Sequence, residues 1–176
     1  MNRIISFWMV AVLTPLVGCA TIHFENSAEA IASMTAAKTE TELLAKRVIK
    51  NETNQIRLTT SSELYDDAYV KYNSYLDQLK IAILSGGSPD VFESQGAEAA
   101  AAAKKFSKFV RPSSGELIPK DPATITLISA ILVDGGLKIY REYQTKQAGD
   151  RTNFCNVLET TLRWKTWEDL AKTPNE

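Results

Sequence analysis

Residues Thr60 to Asp90, TSSELYDDAYVKYNSYLDQLKIAILSGGSPD, carry the pattern on which the fold turns. Leu64, Ala68, Tyr72, Leu76, Leu79 and Ile83 recur at the 3.6-residue period of a helix with one buried face. Thr60-x-x-Glu63 has the form of a capping box at its start. Gly86-Gly87 supplies the usual stop. Ser88 followed by Pro89 is a cap-then-proline start for another helix. A connection this short makes the two helices antiparallel neighbours.

Working outward toward the C-terminus, Val91, Phe92, Ala99, Ala102, Phe106, Phe109 and Val110 mark a third helix. Its centre, Ala99 to Ala103, has high helix propensity and little bulk, which lets a neighbour come close. Arg111-Pro112 ends it, residues 113–120 read as a loop, and Asp121-Pro122 repeats the cap-then-proline start. Ala123 to Val133 is the most apolar run after the N-terminal segment and predicts a central helix reaching about Gln147. That helix must pass through Asp134-Gly135-Gly136, where two interior glycines cost about 1 kcal/mol each relative to alanine. Close packing against the alanine-rich helix would offset part of that. After Gly149-Asp150, Phe154, Leu158, Thr161 and Leu162, with Val157, Trp164, Trp167 and Ala171 around the same helix, predict a last helix over about 152–172.

Working back toward the N-terminus, Ser27 is the expected cap of a first helix over about 28–57. Thr39-x-x-Glu42 marks a place for that helix to break or restart. No stretch alternates with period 2, and no repeat of 20–50 residues is present. The expected architecture is all-α: an antiparallel helical bundle of four main helices plus a C-terminal helix, over residues 27–173.

The first 19 residues have a different character. Arg3 precedes an apolar run from Ile4 to Val17, 14 residues and too short for the roughly 20 of a membrane-spanning helix. A basic start, a short apolar core and small residues at its end describe a signal peptide. Leu16-Val17-Gly18-Cys19 resembles the lipobox of bacterial lipoproteins at all four positions. The resemblance implies a diacylglyceryl group on the Cys19 thiol and cleavage between Gly18 and Cys19. It further implies acylation, such as a palmitate, on the new amino group. Two or three chains anchor firmly where one holds only marginally. In that family an aspartate after the cysteine favours the inner membrane of Gram-negative cells. Ala20 stands here instead, which implies the outer membrane, facing the periplasm. An ordinary signal peptide cut nearby, or an uncleaved anchor, are the other readings of this stretch. Residues 19–26 then read as lipidated cysteine and tether, its seven residues after Cys19 spanning at most roughly 25 Å.

Loss of residues 1–18 would leave 158 of the 176 residues, enough for one domain with a real core. It would also take the net charge from −1 to −2 through loss of Arg3, which argues against a nucleic-acid partner. With Cys19 used by lipid, Cys155 has no partner for an internal disulfide. A buried inert thiol is its default reading, a link between two copies the minority one. His23 is the one histidine, and no metal-ligand spacing, cofactor motif or nucleophile motif is present. The expected cofactor is therefore none, beyond the covalent lipid on Cys19, and no catalytic or metal site is assigned.

Tyr65, Tyr69 and Tyr72 share one helical face, with Tyr75 close by. Tyrosine buries a ring while keeping its hydroxyl wet, so Tyr65 and Tyr69 suit a binding surface for a partner as well as the rim of a core. Trp164 and Trp167, one turn apart, offer the same choice between core and interface anchor. Lys104, Lys105, Lys108 and Arg111 complement a helix C-terminus or meet phosphate headgroups or an acidic partner. Asp134 is expected to pair with Lys138 one turn on. The adjacent acids Asp66-Asp67 and Glu168-Asp169 point to different sides of a helix and make no acid/base pair. Together these features favour a lipid-anchored, non-catalytic periplasmic adaptor that binds another envelope protein. An inhibitor or immunity protein against a periplasmic toxin or hydrolase is the first alternative, and a peptidoglycan- or glycan-binding module is another.

Overall fold

Asn54 opens the longest helix by accepting the Arg57 N–H on its side-chain oxygen at 3.1 Å, and Gly86 closes it in the left-handed conformation, φ 73°. The computed structural model describes residues 22–110 and 127–173. Among these the chain is all-α, a helical bundle without strands. Its helices are α1 (Ser27–Asn51), α2 (Gln55–Ser85), α3 (Asp90–Val110), α4 (Ile128–Gln144), α5 (Ala148–Leu162) and α6 (Trp167–Lys172). The expected loop over 113–120 and the expected helix start at Asp121-Pro122 lie outside the described residues.

The α2–α3 hairpin forms as the glycines and Ser88-Pro89 predict. Ser74 bonds Gln95 across it, and the Arg57 guanidinium stands 5.5 Å over the Phe109 ring, so the two helices run antiparallel along their length. The first helix, expected to reach residue 57, instead ends at Asn51. Glu52 makes the break, accepting both the Asn54 N–H and the Arg57 Nε–H. Neither Thr-x-x-Glu match starts a helix. Both lie inside one, where the buried face runs on without interruption and Thr60 bonds back to the Ile56 carbonyl. Asparagine caps, Asn26 and Asn54, start α1 and α2 in their place.

The single last helix is corrected to two. After Leu162 the chain turns extended at Arg163 and re-enters a helix at Trp167, capped by Thr166. Side chains from other helices take over the freed backbone donors. Asn73 Oδ1 accepts the Trp164 N–H at 3.1 Å and Glu42 Oε1 accepts the Lys165 N–H at 2.9 Å. Gly149-Asp150, expected to separate helices, lies inside α5, and the separation falls at Thr145–Gln147.

The helix α4 runs unbroken through Gly135 and Gly136, and its Leu132 is fully buried. The two glycines have different neighbours. Gly136 faces the Tyr75 ring of α2, whose hydroxyl donates to the Leu132 carbonyl at 2.6 Å. A methyl group at Gly136 would collide with that hydroxyl. On α3, Gly96 admits the same ring from the other side, where a Cβ would sit 3.1 Å from Tyr75 Cε2. Gly135 faces Phe24, Ala30 and Met34 at 3.5–3.8 Å, ordinary contact distances for an added Cβ.

These contacts separate the two glycines experimentally. Gly136→Ala is expected to destabilise by about 1–3 kcal/mol through overpacking. Gly135→Ala is expected to be neutral or to stabilise by up to about 1 kcal/mol through helix propensity. In a Tyr75→Phe background the Gly136→Ala penalty should shrink, because the colliding oxygen is gone. Urea melts of the four variants measure this, and equal effects at both glycines would refute the close seating of Tyr75 against Gly136.

Candidate functional site

Of the four rings singled out for partner contact, two are core. Tyr65 is fully buried, donates its hydroxyl to the Lys165 carbonyl at 2.9 Å, and packs its ring on Phe106, Trp164 and Trp167. Trp164 is buried and stacks on Tyr72 at 4.6 Å between centroids. The expectation that Tyr65 and Trp164 present a contact surface is therefore corrected. At 100° per residue Tyr65 lies only about 20° from Tyr72, on the core stripe itself. The extended segment 163–166 and α6 then roof that flank. Burial raises the Tyr65 and Tyr72 hydroxyls well above the ordinary tyrosine range. Tyr69, about 60° from Tyr72, and Trp167 stay half-buried. Ring contacts run without a gap through Trp167, Tyr65, Trp164, Tyr72, Tyr75, Phe92 and Tyr140. That column spans α6, α2, α3 and α4.

The site that sequence reasoning missed is at the N-terminal end of the described chain. Residues 22–26 were expected to be a tether and are instead a strap laid along α4. The Ile22 N–H donates to Asp134 Oδ2 at 2.9 Å. Five residues on, Ser27 donates its N–H and Oγ–H to the two oxygens of Glu142, at 2.9 and 3.0 Å. Between them Phe24 is 4% exposed and sits over Gly135. Asp134 thus serves the strap, where pairing with Lys138 was expected. The available signal was the alternation Ile22-His23-Phe24, two apolar side chains flanking an exposed polar one, with an acid placed in an otherwise apolar helix. Beside the strap lies an open recess of about 510 Å³, lined by Ile22, His23, Phe24, Asp134, Leu137, Lys138, Arg141 and Glu142.

Elsewhere the polar groups serve the fold. Lys80 and Arg163 join Asp77 and Glu159 in a network tying α2 to α5. The Arg163 and Lys80 bonds hold the Glu159 carboxyl down to about 2, against opposing desolvation. Cys155 is buried, its thiol within bonding range of the Lys80 carbonyl, and burial pushes its pKa up, away from the reactive thiolate. Lys105 and Lys108 are exposed at the end of α3 and Lys104 half-buried, while Arg111 lies outside the described residues. Ile56, Val70 and Ile81 are exposed on one outer line of α2. Spacings of 14 and 11 residues put them roughly 21 and 16 Å apart, so they form no continuous apolar patch. Among the described residues no group of His, Cys, Asp or Glu could hold a metal, and no helix is long and apolar enough to cross a membrane.

Comparison with protein families, with characterised proteins and with solved structures finds no match.

The depressed Glu159 pKa makes one part of the acid sensitivity predictable. A carboxyl held below its ordinary 4.5 stabilises the fold fully above that pH and loses its contribution as the pH falls toward about 2. Wild type should melt above Glu159→Gln at pH 6, and the gap should close on acidification toward pH 2. A gap that is constant across that range would show that the network carries no linked proton.

Proposed function

We propose that the mature chain is a lipid-anchored, non-catalytic helical adaptor of the outer membrane that faces the periplasm and binds another envelope protein. The lipobox resemblance of Leu16-Val17-Gly18-Cys19 supports the anchor. The observation that carries most weight for the role is the docked strap. Ile22 is already fixed to α4, so only Ala20 and Thr21 separate it from Cys19. Cys19 is then within about 10 Å of Ile22. An acylated Cys19 would hold the bundle against the membrane in a restricted set of orientations, as suits a protein presenting a fixed face to a neighbour. Of the four candidate rings, Tyr69 and Trp167 keep exposed area and are the contacts to test. Residues 1–21, including the lipobox, lie outside the described residues.

Two measurements test this. Metabolic labelling with a clickable fatty acid should mark wild type and leave Cys19→Ser unmarked and uncut; equal labelling removes the anchor. Tyr69→Ala with Trp167→Ala should reduce in-cell crosslinks to the main partner while the domain still folds. Retained crosslinks would move the contact face elsewhere.

A further inference from the structure

The recess beside the strap offers groups of both signs that the fold does not consume. Lys138 and Arg141 lie one turn apart on α4, and among the described residues neither has an ionic partner. Glu142 gives both oxygens to Ser27, but Asp134 gives only Oδ2 to the strap. Its Oδ1 accepts no hydrogen bond among the described residues. Among the described residues, the recess sets two cations, Lys138 and Arg141, against two carboxylates, Asp134 and Glu142. A purely anionic ligand would meet as much repulsion as attraction there. A ligand carrying both signs meets neither cost.

We propose that this recess binds the phosphoethanolamine headgroup of a lipid in the leaflet that carries the anchor; the proposal rests on the acylation of Cys19 put forward above. The phosphodiester oxygens match the Arg141 fork and the Lys138 ammonium. The primary ammonium brings N–H donors to Asp134 Oδ1. Ile22, Phe24 and Leu137 supply an apolar wall for the glycerol end. The volume falls within the ~300–1,000 Å³ of small-molecule sites. An acylated Cys19, within about 10 Å of Ile22, would keep the Asp134 end of the recess close to the membrane surface, which favours a lipid headgroup over a free metabolite.

The test uses the acylated full-length product, reconstituted into phosphatidylcholine vesicles. The vesicles carry a trace of photoreactive phosphatidylethanolamine, phosphatidylglycerol or phosphatidylcholine with identical acyl chains. Flotation reports the anchor independently of the recess. Mass spectrometry then maps lipid adducts. The expected result is adducts at residues 22–24 and 134–142 with the ethanolamine probe, about tenfold above the other two probes. Lys138→Gln with Arg141→Gln should remove them by a similar factor, the scale of losing charge-assisted hydrogen bonds. Arg141→Gln alone, at an exposed position, provides the same reading if the double variant misfolds. Protein that floats but labels equally with all three probes, or labels unchanged in the variants, overturns the headgroup site and leaves the anchor standing. Protein that does not float overturns the anchor and the site together.

Discussion

The Tyr75 side chain is the piece on which the packing of three helices depends. It leaves α2, enters a notch made by Gly96 on α3 and Gly136 on α4, and ends in a hydrogen bond to the Leu132 carbonyl. A fully buried phenol costs free energy unless its hydroxyl finds a partner. Here the partner is backbone in the helix that the ring must approach. The glycines are needed because a ring between two helices at packing distance leaves no room for a Cβ under it. Their cost in helix propensity, about 1 kcal/mol each, is offset by aromatic area that alanines could not bury. Phe92 and Tyr140 continue the contact on one side and Tyr72 on the other. The helices are therefore in register wherever Tyr75 is seated.

A second constraint acts at the chain segments that are not helical. The turn between α5 and α6 and the N-terminal strap give up intrahelical hydrogen bonds and recover them from side chains far away in sequence, whereas the turn before α2 is held locally by Glu52. Asn73 and Glu42 hold the turn between α5 and α6, and Asp134 and Glu142 hold the strap. An N–H donor taken out of water and left unpaired costs about 1–3 kcal/mol, which weighs most for the buried Trp164 N–H and least for the exposed Lys165 N–H; together these four acceptors fix the paths of both segments. Two of them are on α4, one on α1 and one on α2. Segments remote in sequence are thereby tied into one unit with no disulfide among the described residues.

This division explains what could be seen in advance. Helix class, the α2–α3 hairpin and the buried stripe of α2 follow from local rules: period, glycine stop, proline start. Three of the failures fall where a distant side chain outcompetes a local rule, while the early end of α1 at Asn51 comes from the local Glu52 and Asn54 bonds. The last helix looked continuous from residue 152 because Trp164 and Trp167 keep helical spacing. It breaks because Asn73 and Glu42 capture the backbone between Leu162 and Trp167. Asp134 looked paired with Lys138 because i,i+4 pairing is local, and the strap competing for it starts 112 residues away. Trp164 looked available to a partner because it was judged on its own helix, while Tyr65 lies on the core stripe by its own spacing, about 20° from Tyr72. Their burial is mutual: each covers the other only when segment 163–166 folds back across α2.

The same logic sets what the N-terminal strap can do. A seven-residue free tether would let the bundle sample every orientation within about 25 Å of its anchor. Docking removes most of that freedom, because Phe24 and the Asp134 and Glu142 bonds commit residues 22–27 to one face of α4. That face also carries Lys138 and Arg141. Losing Phe24 would remove the strap's buried ring and leave the two flanking carboxylate bonds and half-buried Ile22 to hold it. Phe24→Ala should cost about 3–5 kcal/mol if the strap stays docked around a cavity. A smaller cost together with fast amide exchange at Ile22 and Ser27 would mean that the strap peels away instead.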